Sequence, residues 1–252
     1  MIDSHIHLTD KSYKEDIDII MKEAFEEGVE TMLVIGCDAK EIEKTIPFIK
    51  KYDVYGAIGF HPVEFKNYEE KDLIELEEKL NEDRIVALGE IGLDYHWYPN
   101  DKKEQEKLLR LQMEIAKKKN IPVIIHSREA LEDTYNILKD YKPLKGVIHS
   151  FSGTSEEAKK YIDLGLLIGL TGPITFKNGE NQREVAKEVS LKNLLIETDG
   201  PFLTPVPFRG KRNKPQYIRY VAEEIAIQKK CDIEEVIKET SNNFKRVFLG
   251  GK

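Results

Sequence analysis

Short apolar runs alternate with longer charged segments along the whole chain of 252 residues. Eight runs rich in β-branched residues lie at 2–7, 31–36, 54–60, 85–93, 121–126, 146–150, 166–171 and 194–199. Because nearly every residue of a run is apolar, each is typical of a strand buried on both faces, as in a parallel sheet. The segments between them carry apolar residues at helical spacing, as at 14–27 and 102–119. The alternation therefore predicts successive βα units.

The number of units narrows the fold class. Eight strands alternating with about eight helices match the size of a closed (β/α)8 barrel. An open doubly wound sheet is the alternative, but no Gly-x-Gly-x-x-Gly motif follows the first strand. We predict an α/β protein with a single-domain TIM (β/α)8 barrel over residues 1–252. A C-terminal helical tail is expected from about residue 231.

Charge and cysteine content restrict the surroundings of the protein. The formal net charge of −7 argues against coating nucleic acid or membrane by bulk attraction. The two cysteines, Cys37 and Cys231, lie far apart and predict no disulfide framework. The first strand follows Met1 with no leader pattern, and the uncharged stretch 164–176 is too short for a membrane span. We expect a cytoplasmic protein with no membrane contact and no obligate protein partner.

Histidines cluster at the predicted strand ends. His5, His7, His61, His126 and His149 all lie at or near the carboxyl end of a strand. In a barrel these ends converge on one mouth, where active sites are built. The i, i+2 spacing of His5 and His7 places both imidazoles on one face of a strand. An accidental pair on an exposed strand end is the alternative.

Two carboxylates complete the set. Glu90 and Asp199 each end an apolar run, where an acid is costly to bury unless it is paired or bound to a metal. Four imidazoles (His5, His7, His126, His149) and two carboxylates are too many for one tetrahedral ion and fit two ions bridged by a carboxylate. Such ligands suit Mg²⁺, Mn²⁺ or Zn²⁺ without choosing among them.

With these motifs the chain resembles the TatD-type metal-dependent hydrolases and deoxyribonucleases of the amidohydrolase superfamily. The similar segments are DSHIHL at 3–8, GFHP at 59–62, GEIGLDY at 89–95, PVIIHSREA at 122–130, HSFSG at 149–153, ETDGPFL at 197–203 and RGKRN at 209–213. They span the chain in order. Gly200 departs from the Ala or Ser that is more usual in the family, at a position that is not a ligand.

The resemblance implies a distribution of the ligands. His5, His7 and Asp199 would hold one ion, His126 and His149 the other, and Glu90 would bridge them. Related amidohydrolases often use a carbamylated lysine as the bridge, but the fourth-strand run here contains no lysine. Asp199 is also the candidate general base toward water, and a role as ligand alone is the alternative.

Cationic side chains are candidates for binding a charged substrate. Arg209 and Arg212 lie in a basic loop after the eighth strand, where this fold often binds phosphate. A solvated surface loop is the alternative. Arg128 is expected at the mouth or as a cap of the next helix, and His61 as a donor to a phosphate oxygen or as a structural residue. The aromatic run 95–98 would either stack an unpaired base or pack its own loop.

The leading hypothesis is a divalent-metal-dependent phosphodiesterase, a 3′→5′ exonuclease that acts on single-stranded or frayed DNA ends. The alternative keeps the metal site but hydrolyses an amide, a lactone or an aminoacyl ester. A nucleic-acid-binding protein with a dead site is disfavoured, because every expected ligand is present.

Overall fold

Eight parallel strands alternate with helices in a computed structural model that describes residues 1–251. The strands are β1 (Ile2–Ile6), β2 (Thr31–Gly36), β3 (Tyr55–Ile58), β4 (Ile85–Asp94), β5 (Val123–Arg128), β6 (Gly146–Ile148), β7 (Leu166–Leu170) and β8 (Leu194–Ile196). The helices are α1 (Ile17–Glu26), α2 (Ala39–Tyr52), α3 (Glu70–Lys79), α4 (Lys102–Lys119), α5 (Leu131–Leu138), α6 (Ser155–Leu164), α7 (Glu180–Glu188), α8 (Ile218–Lys229) and α9 (Ile233–Phe248).

Each strand pairs with the next one in the chain, in the order β1 to β8. The first and last strands of the sheet come together where β1 meets the residues that follow β8. There the Asp199 amide donates to the His5 carbonyl at 3.0 Å, and the His7 amide donates to the Gly200 carbonyl at 2.8 Å. This confirms the predicted single-domain (β/α)8 barrel. Within residues 1–251, no helix combines the length and apolar character needed to cross a bilayer.

Helix ends follow the local sequence. Thr154 caps α6, accepting the amide of Glu157, whose side chain in turn accepts the Thr154 amide at 2.8 Å. This reciprocal capping box satisfies amides that the first helical turn leaves free. Gly165 ends the same helix with a φ of 104°, a left-handed conformation that glycine adopts without strain. These caps fix where each helix returns the chain to the sheet.

The amino-terminal end of the barrel is filled with apolar side chains. One cluster inside the barrel collects a residue from every strand, and Phe244 and Phe248 of α9 join it. Asn243 fixes this helix, because its side-chain amide donates to the carbonyls of Leu191 at 2.7 Å and Leu194 at 2.9 Å. The last helix therefore closes the end of the barrel where the strands begin.

Two register shifts turn polar side chains inward at the opposite end. Between Asp3 and Ile6, β1 advances three residues while β2 advances two, and β4 does the same against β5 between Leu88 and Ile91. One extra residue reverses the inward and outward faces of a strand. Within the shifted segments, His5 and Glu90 face the barrel interior, while Ile6 and Ile91 at their ends pack in the helix-facing core.

Candidate metal centre

The carboxyl ends of the strands surround a cavity of about 1020 Å³. Five of the six predicted ligands line it: His7, Glu90, His126, His149 and Asp199. The sixth, His5, lies beneath them and is fully buried. The structure thus brings together at the barrel mouth all six residues that the sequence predicts as metal ligands.

One oxygen of the Glu90 carboxylate faces the histidine pair of β1. Glu90 Oε2 lies 3.3 Å from His5 Nε2 and 3.8 Å from His7 Nε2. The two imidazole nitrogens lie 3.2 Å apart, close enough for both to approach one bound cation. His5 Nδ1 is buried and has no hydrogen-bond partner among residues 1–251. These three residues can offer one donor atom each to a single cation.

The other oxygen of Glu90 faces a second histidine group. Glu90 Oε1 lies 2.6 Å from His126 Nδ1, 3.8 Å from His61 Nε2 and 4.0 Å from His149 Nε2. The donor atoms of His61, Glu90 and His126 all lie within 4.8 Å of one another. Glu90 therefore stands between two groups of imidazoles and turns one oxygen to each.

Asp199 approaches the site from the end of β8. Its Oδ1 lies 3.4 Å from His7 Nε2, 3.7 Å from His149 Nε2 and 3.8 Å from His5 Nε2. Burial alone would raise the pKa of Asp199, but the hydrogen bond from His7 and the charge of His149 outweigh it and lower the pKa. The carboxylate is therefore ionised at neutral pH.

Glu90 is held ionised in the same way. Burial favours the neutral acid, but His5, His149 and His126 together keep the pKa of Glu90 well below its usual range. His5 and His149 stack at 3.5 Å between ring centroids, and burial together with the His149 charge lowers the pKa of His5. Two ionised carboxylates among clustered imidazoles form a donor set that fits divalent cations.

Glu197 is a buried residue that the sequence reasoning left without a role. Its Oε2 accepts from His149 Nδ1 at 2.8 Å and from the Ser150 amide at 3.0 Å. Burial alone would lower the pKa of His149, but Glu197 and Glu90 raise it to about 10. Because Nδ1 donates to Glu197, Nε2 is directed toward the cavity, the arrangement usual for a metal-binding histidine. A Cβ on Gly169 would lie 2.4 Å from the Glu197 carboxylate, so the glycine leaves room for it.

Asp94 holds His126 in a similar manner. Its Oδ2 lies 3.2 Å from His126 Nε2, and its Oδ1 accepts from the amides of His96 at 3.0 Å and Trp97 at 3.1 Å. Burial lowers the pKa of His126, but Asp94 and Glu90 outweigh it and raise the pKa to about 9. Metal binding at this histidine would therefore release a proton.

Asp3 supports the backbone of the site. Its carboxylate accepts from the Thr198 amide at 2.9 Å, the Thr198 hydroxyl at 2.5 Å and the His5 amide at 3.3 Å. These bonds tie β1 to the residue before Asp199, which has a left-handed φ of 56°. A non-glycine residue pays roughly 1–3 kcal/mol for that conformation. Asp3 thus acts on two backbone amides and on the Thr198 hydroxyl.

Two of the predicted substrate contacts line the cavity. His61 Nδ1 accepts from the Val63 amide at 3.3 Å, so the neutral ring carries its proton on Nε2. Burial, with the charge of His126, lowers the pKa of His61 to about 3 and keeps the ring neutral. Arg128 ends β5 as an exposed side chain, with its guanidinium carbon 5.7 Å from the centre of the Trp97 ring. Both residues can donate to a bound anion.

The other two predicted contacts have protein partners elsewhere. Arg212 forms a two-pronged ion pair with Asp16, at 2.9 and 2.5 Å, and lies over the Tyr13 ring. The guanidinium carbon of Arg209 lies 4.2 Å from the centre of the Phe176 ring. Among residues 1–251 the cavity lining includes Arg128 but neither of these two arginines.

Comparison with known proteins defines the class. Residues 2–249 match the family of TatD-related DNases. The chain is 42% identical over 251 residues to the metal-dependent hydrolase YabD of Bacillus subtilis, covering 98% of each protein. It is 31% identical to the 3′-5′ ssDNA/RNA exonuclease TatD of Erwinia tasmaniensis, covering 98% of this chain and 99% of the relative.

The solved structures agree. The TatD homologue YjjV of Escherichia coli superimposes with a TM-score of 0.94 at 29% identity, over 99% of this chain and 98% of the other. A TatD-family hydrolase of Entamoeba histolytica gives a TM-score of 0.89 at 26% identity, over 98% and 97%. The chain belongs to the TatD-related DNase family of metal-dependent hydrolases, which confirms the resemblance seen in its motifs.

Proposed function

We propose that the protein is a divalent-metal-dependent deoxyribonuclease of the 3′→5′ exonuclease type, acting on single-stranded or frayed DNA ends. The relative named a 3′-5′ ssDNA/RNA exonuclease supports this substrate class. The proposed cofactor is a pair of divalent cations, Mg²⁺, Mn²⁺ or Zn²⁺. His5, His7 and Asp199 would hold one, His126 and His149 the other, and Glu90 both.

One observation carries this proposal: the two oxygens of Glu90 face two separate imidazole groups. Oε2 is turned to His5 and His7, and Oε1 to His126 and His149. A carboxylate between two donor groups is the arrangement expected of a bridge between two cations. His61 is also near Oε1, but its Nδ1 lone pair accepts the Val63 amide, so it suits hydrogen bonding better than ligation.

When bound, such ions supply Lewis acidity toward a phosphoryl oxygen and make a nearby water more acidic. The side chains of the protein supply a proton acceptor and orient the histidine rings. Asp199 is ionised and faces the cavity, so its carboxylate can accept a proton from an attacking water. Glu197 and Asp94 hold the rings of His149 and His126 in place.

Substrate contacts are proposed for His61 and Arg128, because both line the cavity and both side chains carry N–H groups that can donate to a phosphate. His61 Nε2 would donate to a phosphate oxygen, and the Arg128 guanidinium would pair with a neighbouring phosphate. Direct contact of Arg209 and Arg212 with substrate stays a prediction, since their guanidinium groups already contact Phe176 and Asp16.

The acidic character of the cavity lining supports a second candidate function. Seven carboxylate side chains line it and Arg128 is the one arginine or lysine found there, within the described part of the chain. An acidic mouth with little cationic surface also suits a less charged substrate, such as an amide, a lactone or an aminoacyl ester. The same metal ligands would serve that hydrolysis.

The test is hydrolysis of labelled oligonucleotides. With Mg²⁺ or Mn²⁺ we expect release of single nucleotides from the 3′ end of a 5′-labelled single strand, seen as a ladder of shortened products. Chelation should stop the release, and added metal should restore it. If metal restores turnover of an aminoacyl ester or lactone but yields no nucleotide, the second candidate replaces the first.

The cellular location of the protein, its partners and the extent of the hydrolase unit are also proposals. We infer a cytoplasmic protein, supported by the two unpaired cysteines, Cys37 and Cys231. DNA is the proposed partner, as substrate, with no obligate protein partner. We also propose that residues 1–252 act as one hydrolase unit in which the helical tail from about 231 has a structural role.

A further inference from the structure

Two exposed aromatic rings stand at the rim of the cavity. Trp97 is 63% exposed and Phe202 is 56% exposed, and both line the mouth. The other aromatic residues beside Trp97 are less exposed: Tyr95 is buried, and Tyr98, which also lines the cavity, packs against Phe65 with ring centroids 5.2 Å apart. Exposed aromatic rings that line a cavity can stack on the bases of an unpaired strand.

The strand order places these rings on opposite walls. Trp97 follows β4 and Phe202 follows β8, and strands four places apart in a ring of eight face each other across the barrel. Glu90 lies in β4 and Asp199 follows β8, so they come from the same two sides of the barrel. The metal-ligand set therefore lies between the two aromatic walls.

Each ring is held on a fixed backbone beside one half of the site. The Trp97 amide donates to Asp94, whose other oxygen holds His126. The Phe202 amide donates to the Asp199 carbonyl at 2.9 Å, and its ring meets His7 edge to face at 6.1 Å between centroids. The backbone that carries each ring is therefore fixed beside the site before any substrate binds.

We propose that Trp97 and Phe202 are stacking platforms for the two unpaired bases that flank the scissile phosphodiester. The inference rests on the proposed nuclease function and deepens it, because it makes the substrate a single strand. Bases on opposite walls must be separated from each other and from any complementary strand. In a duplex the same bases stack on their neighbours and offer no free face to either ring. Arg128, beside Trp97, is placed to pair with a phosphate on that wall.

The test compares Trp97→Leu and Phe202→Leu with the unaltered protein on two substrates. One is a normal single-stranded oligonucleotide, and the other carries abasic sites at the two positions that flank the cleaved bond. Stacking one base on an aromatic ring is worth about 5- to 150-fold in affinity. For each protein, kcat/KM on the normal strand is divided by kcat/KM on the abasic strand. We expect each variant to lower this ratio by that factor. Phe25→Leu, an exposed phenylalanine of α1 outside the cavity, is the matched control and should leave the ratio unchanged.

A second readout does not depend on turnover. Trp97 is the single tryptophan of the chain, so intrinsic fluorescence reports on this ring alone. A phosphorothioate single strand added to the metal-loaded protein should quench it, and the abasic strand should not. Unaltered protein that cleaves DNA, with no quenching and unchanged ratios in both variants, would overturn the stacking platforms and leave the nuclease function intact. Unaltered protein that cleaves no oligonucleotide with any metal would overturn both.

Discussion

The two ends of the barrel use the same eight strands but bury opposite kinds of side chain. Where the strands begin, the interior holds aliphatic residues and the rings of Phe244 and Phe248. Where the strands end, it holds ionised carboxylates and imidazoles, among them Glu90 and His5. The first end contributes stability through apolar burial, while the second concentrates polar groups whose burial is costly unless they serve a site. Substitutions at the two ends should therefore separate stability from chemistry.

The largest effect is expected at the bridge. Glu90→Gln replaces the carboxylate, whose two oxygens each face one imidazole group, with a neutral amide, so both cations should bind poorly. Loss of a contribution of several kcal/mol corresponds to about a 10³-fold fall in kcat/KM on oligonucleotides. The melting temperature of the metal-free variant should stay within about 4 °C, the shift that about 1 kcal/mol produces in a chain of this size. Near-normal turnover would contradict the bridging role.

The opposite result is expected at the other end. Phe244→Ala empties space in the barrel interior and should lower the free energy of unfolding by about 3–5 kcal/mol, measured by denaturant titration. Activity per folded molecule should not change. Ile227→Ala, at an exposed position, is the control and should cost no more than about 0.5 kcal/mol. Loss of activity in still-folded Phe244→Ala would show that the two ends are coupled.

A smaller effect is expected at Glu197, which lies behind the proposed metal ligand His149. Glu197→Gln weakens the hydrogen bond that orients His149 and should reduce metal affinity about 10- to 100-fold, measured by Mn²⁺ titration. Gly169→Ala should act in the same direction, because its Cβ would collide with the Glu197 carboxylate. The exposed Glu188→Gln serves as the control. Equal metal affinity in all three variants would contradict the proposed role of Glu197 in orienting His149.

The smallest effect is expected in the basic loop. Arg212→Lys loses the two-pronged pairing with Asp16 and should lower the free energy of unfolding by up to about 1 kcal/mol. Because the guanidinium pairs outside the cavity, KM for DNA and KM for a small neutral ester should change equally. A rise in KM for DNA alone would favour the direct substrate contact that the sequence predicts.

The strands and most candidate ligands could be predicted because strong local signals specify them. β-branched runs mark all eight strands, although β3, β6 and β8 end two to three residues earlier than their apolar runs. Histidines that end such runs converge at the mouth because parallel strands share one direction. The barrel follows from the number and alternation of these units.

The register of β1 and β4 could not be predicted. Strict alternation from Ala87, which packs inside the barrel, would place Ile91 inside and Glu90 outside. The extra residue in β4 reverses this, and β1 gains the same reversal before Ile6. Such shifts depend on pairing with a neighbouring strand, which local periodicity does not record. The role of Glu197 could have been suspected from the sequence, because this acidic residue directly follows the three apolar residues 194–196.

The bridging of two cations by Glu90 at the barrel mouth is the proposal on which the predicted metal effects depend. Anomalous scattering from crystals grown with Mn²⁺ tests it most directly, with data collected on both sides of the manganese absorption edge. We predict two peaks, one beside Glu90 Oε2 near His5 and His7 and one beside Oε1 near His126 and His149. A single peak, or peaks that leave Glu90 without contact, would contradict the bridging role of Glu90.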